Sequence, residues 1–334
     1  MRESTEDMAH RTPWMHDAGW GVNIMFMPPI VERPEMGITL SAEEWNARVD
    51  AFDIDGLVQQ LVAIEAPYAF LTLGQNSGHY CAPNATYDRI VGRTPSLCSK
   101  RDLVAELAAA LKPHGIRLLA YLPSGAPACD ALAREKLGWE WGYSAPWPNG
   151  FIDELRTGER CAEFQLKWEA VCREWSVRYG SDVAGWWIDG CYFADEMYRN
   201  PVAPNFKSFA AALRAGNPDS LVSFNPGQIA PLIVHSDEDD YTAGEIANEF
   251  PLCPGRWVQK GKHVAQWHVY TWMGTGWGSG ETERVPLEFV IGYTKQAMAK
   301  GGVVTWDAPL DERGRFKPYF FEMLTALRRA VPRR

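Results

Sequence analysis

The chain is short of positive charge. Its 33 Lys and Arg residues stand against 42 Asp and Glu, a net charge of −9. Phosphate-rich partners demand basic surface, so the balance argues against nucleic acid and against an anionic membrane. No uninterrupted apolar run reaches the ~18 residues that a membrane helix needs. The opening residues MRESTEDMAHRTP contain no apolar secretion segment. The expectation is a cytoplasmic protein, with residues 1–13 a flexible N-terminal segment. Several chemical signatures are missing as well. The seven cysteines (81, 98, 129, 161, 172, 191, 253) form no C-x-x-C pair, which predicts reduced, mostly buried thiols and neither a disulfide framework nor a zinc site. No HxH or HExxH spacing offers metal ligands. No G-x-S-x-G elbow marks a serine nucleophile. Met27-Pro28-Pro29 stands where a dinucleotide fold would carry its glycine-rich loop.

What the sequence does have is apolar strands and tryptophan. Short β-branched or aromatic runs alternate with longer amphipathic stretches. Strands are predicted at 21–27 (GVNIMFM), 69–74 (AFLTLG), 116–122 (IRLLAYL), 184–189 (AGWWID), 221–227 (LVSFNPG), 242–249 (TAGEIANE, a weaker pattern), 264–270 (VAQWHVY) and 302–307 (GVVTWD). Helices are predicted over 53–66 with Asp53 as N-cap, 99–112 with Ser99 as cap, 160–178, 205–215, 286–299 and 317–330. Residues 123–158 read as a long loop rich in Pro, Gly and Trp, and the acidic run 236–241 (SDEDDY) as a solvated loop. Eight strands, apolar nearly throughout and alternating with helices, predict a parallel sheet covered on both faces, and eight is the number that closes a (β/α)8 TIM barrel. The expectation is an α/β fold with one such domain over residues 1–334. An open doubly wound sheet is the alternative.

In a barrel of this kind chemistry gathers at the C-terminal ends of the strands. Strand two is followed by Gln75, Asn76, Ser77 and His79. Strand three ends at Tyr121, strand four at Asp189 and strand five at Asn225. Strand six carries Glu245 and Glu249, strand seven Gln266, Trp267, His268 and Tyr270, and strand eight ends at Trp306-Asp307. Lys and Arg are scarce in this set, which weighs against phosphate chemistry. Carboxylates among amides, hydroxyls and aromatic rings fit glycoside hydrolysis, which needs one acid for the leaving oxygen and a second for the anomeric carbon. Asp189, anchored behind Trp186, Trp187 and Ile188, suits the second role. The bland reading is a strand-end acid that caps a turn or pairs with an Arg.

These residues resemble the α-L-fucosidases of glycoside hydrolase family 29. The segment WEAVCREWSVRYGSDVAGWWIDGCYF is similar to that family's nucleophile region, with a helix, a short turn and a strand ending in Trp-Phe/Ile-Asp-Gly. WMHDAGWGVNIMFM resembles its opening strand, LVAELAAALKPHGIRLLAYLPS its third helix–strand unit, YTAGEIANEFPLCPGRW its acid/base segment, and AKGGVVTWDAPLDERGRFKP its closing segment. The resemblance implies a retaining mechanism, with Asp189 as nucleophile, Glu245 as general acid/base and Glu249 in reserve. It also implies two carboxyls ~5–5.5 Å apart and a raised pKa on the acid. Met25, Phe26 and Met27 stand where the family has His-Trp-Gly, and Gly74–His79 replaces its histidine-rich segment. Buried polar contacts set substrate discrimination, so the sugar is expected not to be fucose held in the usual mode. The expected substrate contacts are Asn76, His79, Tyr121, Trp187, Asn225, Glu249, Trp267, His268 and Trp306, around a carbohydrate substrate, with no metal and no organic cofactor. The expected activity is exo-type removal of a terminal sugar. A carbohydrate-binding barrel without catalysis and a metal-dependent sugar isomerase or lyase are the alternatives.

Overall fold

The computed structural model describes residues 11–28, 37–139, 160–192 and 194–332. Among the described residues nine strands are formed: β1 (Trp20–Ile24), β2 (Tyr68–Thr72), β3 (Arg117–Pro123), β4 (Val183–Asp189), β5 (Leu221–Phe224), β6 (Trp257–Lys260), β7 (His263–Gln266), β8 (His268–Trp272) and β9 (Val303–Asp307). Seven of them make one curled parallel sheet in the order β5-β4-β3-β2-β1-β9-β8, and β6 and β7 form a separate antiparallel hairpin. The predicted run 264–270 is therefore two strands, broken at Trp267, and only its second half joins the main sheet.

Successive side chains on a strand point to opposite faces, and here the two faces have different partners. Trp186 and Ile188 of β4, Val22 and Ile24 of β1 and Val304 and Trp306 of β9 belong to the large cluster shared with the helices. Tyr68, Phe70, Leu119, Tyr121, Trp187, Leu221 and Tyr270 form a second cluster inside the curl. Both faces are buried, which is why the strands read as apolar throughout. The helices start where short polar side chains can cap them. Asp53 accepts from Gly56 N, as its position predicts. The helix predicted from Ser99 starts instead at Leu103, capped by Asp102 through Ala105 N, because the Ser99 hydroxyl donates to Arg101 O. Within the predicted loop 123–158, Ala131–Leu137 is helical, and residues 140–159 lie outside the described residues.

The eighth position of the curl, between β5 and β8, holds no regular strand. Residues 241–246 run beside the end of β7 and β8 through isolated parallel bridges, Tyr241 with Gln266 and Glu245 with Tyr270. Thr242 N, Tyr270 N and Ile246 N complete the backbone bonds on that side. Gly244 makes this approach possible: its φ is +65°, and a Cβ there would stand 1.9 Å from His268 O. On the β5 side two side chains replace most of the ladder. Asp239 Oδ1 accepts from Phe224 N at 3.0 Å and Asp240 Oδ2 from Val222 N at 2.8 Å. This corrects two expectations. The sixth strand is an extended segment with bridges, and the acidic run is solvated only at Asp237, while Asp239 and Asp240 are each 1% exposed. Asp240 also takes Arg214 at 2.7 Å and Arg11 at 2.9 Å. Residues 1–10 of the expected flexible segment lie outside the described residues, and a helix begins at Pro13.

Candidate active site

Asp189 is the last residue of β4 and points inward with Gly185 and Trp187. Gly190 follows it at φ +81°, a left-handed turn that glycine takes without strain. Ser124 N bonds Asp189 O at 2.7 Å, and Asn225 N bonds Ile188 O at 2.7 Å, so the backbone on both sides of the acid is fixed. Its carboxyl accepts from four donors. Oδ2 takes the Tyr121 hydroxyl at 2.5 Å and Gln75 Nε2 at 2.8 Å, and Oδ1 takes Asn225 Nδ2 at 2.8 Å and the Tyr192 hydroxyl at 3.3 Å. These four contacts fill the lone-pair directions of both carboxyl oxygens.

Glu245 sits on the extended segment, in register with Tyr270 of β8. Its Oε2 accepts from Asn225 Nδ2 at 2.6 Å and its Oε1 from exposed Gln228 at 3.4 Å. One amide nitrogen thus serves both acids. Bonds of 2.8 and 2.6 Å sharing that nitrogen keep Asp189 Oδ1 and Glu245 Oε2 within about 5.4 Å of each other. The amide is not free to flip, because Asn225 Oδ1 accepts from Gly227 N at 3.0 Å. Burial pushes the Glu245 carboxyl up to about 7, and the Asp189 charge adds to that shift, against the bonds from Asn225 and Gln228. The arrangement pairs a carboxylate held by donors with a second acid that keeps its proton up to neutral pH.

Beneath the acids lies a column of rings. Tyr121 stacks on Trp187 at 5.0 Å, Trp187 on Tyr270 at 4.7 Å, and Tyr270 on half-buried Trp277 at 5.0 Å. Such pairs contribute ~0.5–1.5 kcal/mol each beyond their burial, and they fix the hydroxyl that Tyr121 offers to Asp189. A third carboxyl ends β9. Asp307 Oδ1 accepts from Asn23 Nδ2 at 2.7 Å and Oδ2 from Gly278 N at 2.5 Å, and burial pushes it up to about 7. Met25, in place of the histidine of the resembled family, takes the Thr72 hydroxyl on its sulfur at 3.2 Å. Among the described residues no group of three or more His, Cys, Asp or Glu is placed to hold a metal ion.

Of the residues singled out in the sequence, the structure brings Asp189, Glu245, Asn225, Tyr121 and Trp187 together. Asn76 lies half-buried beside Gln75, its N–H on Gln75 Oε1. Glu249 is exposed, four residues beyond the bridge. His79 turns away, its Nε2 bonded to Leu40 O and its ring 5.5 Å from Trp45. His268 lies at the start of β8 inside the curl, held by Thr242 O and the Thr305 hydroxyl, with burial lowering its pKa to about 4. Trp267 and Trp306 belong to the outer cluster, and Trp306 Nε1 donates to Thr294 of the helix Leu287–Ala299. Gln75, Tyr192, Tyr270, Asn23 and Asp307 complete the inner set without having been singled out as contacts. For Tyr270, Asn23 and Asp307 the available signal was strand parity, since each falls on the inward positions of its strand.

No family model matches the chain, and no curated protein matches it in sequence. Solved structures do match in fold. An endo-fucoidan hydrolase of glycoside hydrolase family 107 superposes with a TM-score of 0.69 at 14% identity, covering 96% of this chain and 92% of that one. A second endo-fucoidan hydrolase of that family gives 0.71 at 18%, covering 96% of this chain and 53% of the other. An α-L-fucosidase from Lactobacillus casei, solved with α-L-fucose, gives 0.60 at 16%, covering 95% and 97%. The chain has an α-L-fucosidase-like glycoside hydrolase fold.

Proposed function

We propose that this protein is a retaining glycoside hydrolase that removes a terminal sugar, with Asp189 as nucleophile and Glu245 as general acid/base. The observation that carries this reading is the single Asn225 amide donating to both carboxyls. The upper limit it sets, about 5.4 Å between the two bonded oxygens, lies nearer the ~5–5.5 Å of retaining enzymes than the ~6.5–9.5 Å that inverting enzymes keep for a water. In the first step Asp189 attacks the anomeric carbon while protonated Glu245 gives its proton to the departing oxygen. The Asp189 charge is then spent in the glycosyl ester. One cause of the raised Glu245 pKa goes with it, so Glu245 becomes able to take a proton from the water that releases the sugar. Neither step calls for a metal or an organic cofactor.

The test is turnover of a panel of aryl glycosides, with the anomer of the first-formed product followed by NMR. Retention, abolished by Asp189→Asn, is the expected result. Inversion, or turnover that survives the substitution, would overturn the assignment. A second reading, internal cleavage of a polysaccharide, is favoured by the fold likeness to the two endo-fucoidan hydrolases. Product length separates it: monosaccharide from the start indicates terminal cleavage, and a ladder of oligosaccharides indicates internal cleavage.

A further inference from the structure

Two buried polar atoms near the acids have no partner: the Tyr270 hydroxyl, on a residue 1% exposed, and Asn23 Oδ1, on a residue 0% exposed. A buried group left unpaired costs ~1–3 kcal/mol, so two in one place call for an explanation. Both lie with Asp307. Asn23 is its register partner across β1 and β9 and its hydrogen-bond donor. Tyr270, on neighbouring β8, lies in the field of Asp307, Asp189 and Glu245. The cover over them is thin and glycine-rich. Residues 274–280 read GTGWGSG. Gly278 closes over Asp307 Oδ2 through its N–H, and Trp277 lies on the Tyr270 ring. Lifting Gly278 would open a row of three groups: a carboxylate oxygen, an amide oxygen and a phenol.

We propose that Asp307, Asn23 and Tyr270 form a sugar-binding subsite beneath the 274–280 loop, and that it selects neutral sugars with free hydroxyls over sulfated or uronic ones. The inference rests on the carbohydrate reading of the site and adds the substrate's charge to it. A sugar hydroxyl both donates and accepts. Adjacent hydroxyls of one sugar can donate a bond each to Asp307 Oδ2 and Asn23 Oδ1 and exchange a bond with Tyr270. A sulfate ester or a carboxylate only accepts and carries charge. It would meet two acceptors, one of them an acid, in a buried setting where an unpaired charge is costly. No cation relieves that repulsion: among the described residues, the hydrogen-bond partners of Asp189, Glu245 and Asp307 are amides, tyrosines and one backbone N–H. Arg284, the nearby cation over Trp272, is turned to Ala247 O, Trp272 O and the Thr271 hydroxyl.

The test is calorimetric titration, at a pH well above the value of about 7 to which burial raises Asp307, with methyl α-L-fucoside and methyl β-D-galactoside and with a sulfated form of each, which reads binding whether or not bonds are cleaved. The expected result is saturable binding of at least one neutral glycoside and at least tenfold weaker binding of its sulfated form. Asp307→Asn should weaken the neutral ligand by about tenfold to a hundredfold, the range for a hydrogen bond to a charged group, and narrow the discrimination. The near-isosteric Tyr270→Phe should weaken it by up to about tenfold, and it keeps the test open if Asp307→Asn does not fold. Sulfated ligands binding as tightly as neutral ones, no binding by either class, or wild-type affinity in both variants would overturn the subsite. Neutral-selective binding without turnover would support it while removing the hydrolytic reading.

Discussion

Glu245 lies five residues beyond Asp240, yet the pair Asp239–Asp240 and the pair that Glu245 makes with Asp189 differ in what satisfies them. Asp239 and Asp240 are bound by backbone N–H groups and guanidinium. Asp239 takes Phe224 N, His235 N and Ser236 N, and Asp240 takes Val222 N, Arg214 and Arg11. Asp189 and Glu245 are bound by side chains alone: Gln75, Tyr121, Tyr192, Asn225 and Gln228. The first pair does the work of a missing strand ladder, each acid tying backbone N–H groups or guanidinium groups together. The second pair is held in position by groups that neither neutralise it nor cross-link the backbone through it. A buried acid is therefore not evidence of chemistry by itself; under the proposed function, the kind of donor distinguishes a structural acid from a reactive one.

That contrast predicts opposite consequences of substitution. The largest effect is expected at Asp189. Asp189→Asn should lower kcat/KM by about four orders of magnitude or more, because no nucleophile of the same geometry replaces it, while thermal melting changes little. Next comes Asp240→Ala, which strands two guanidinium groups and Val222 N. It should cost about 3–5 kcal/mol of stability in urea unfolding, yet leave kcat of the folded protein near wild type. A stable Asp240→Ala, or an unstable Asp189→Asn with undiminished turnover, would erase the distinction between the pairs.

Much of this was legible in the sequence because strand parity is strict. Trp186, Trp187, Ile188 and Asp189 alternate faces, so counting back from Asp189 selects Trp187 for the inside and leaves Trp186 to the helices. The same count from Asp307 puts Trp306 outside, and from Tyr270 it puts Trp267 outside. Proximity to a strand end had grouped them all together; alternation separates them. The fold class followed from apolar runs buried on both faces. What the sequence hid was long-range. Arg11 reaches Asp240 across 229 positions, and no local pattern distinguishes carboxylates that replace a strand ladder from a solvated acidic loop. Gln75 is equally silent: its value lies in meeting Asp189, 114 residues away.

The proposed catalytic pair can be probed further through its proton. Burial and the Asp189 charge raise Glu245 from 4.5 to about 7, and a general acid must be protonated to act. Activity should therefore fall as pH rises through about 7. The same sign governs stability, since a carboxyl raised on folding contributes its full stability below its unfolded value and loses it as pH passes the folded one. Glu245→Gln should remove the alkaline limb and cost about a hundredfold on substrates with poor leaving groups. On nitrophenyl glycosides, whose leaving group needs little protonation, the loss should be smaller. An alkaline limb that persists in the variant would assign it to another group.

The subtlest effect is expected at Asn225, where the two acids meet. Its amide donates to Glu245, which favours the charged form and holds the pKa below what burial and Asp189 alone would set. It donates to Asp189 as well, and its oxygen is anchored on Gly227 N. Asn225→Ala removes both bonds at once. The two carboxyls then face each other without a shared donor, so Glu245 holds its proton more firmly and the alkaline limb of the pH–rate profile moves to higher pH. Turnover should fall only about tenfold, because both reacting groups remain. If the amide merely fills space, kcat falls and the limb stays where it was. The direction of the limb, more than the size of the loss, tests whether one amide couples the two acids.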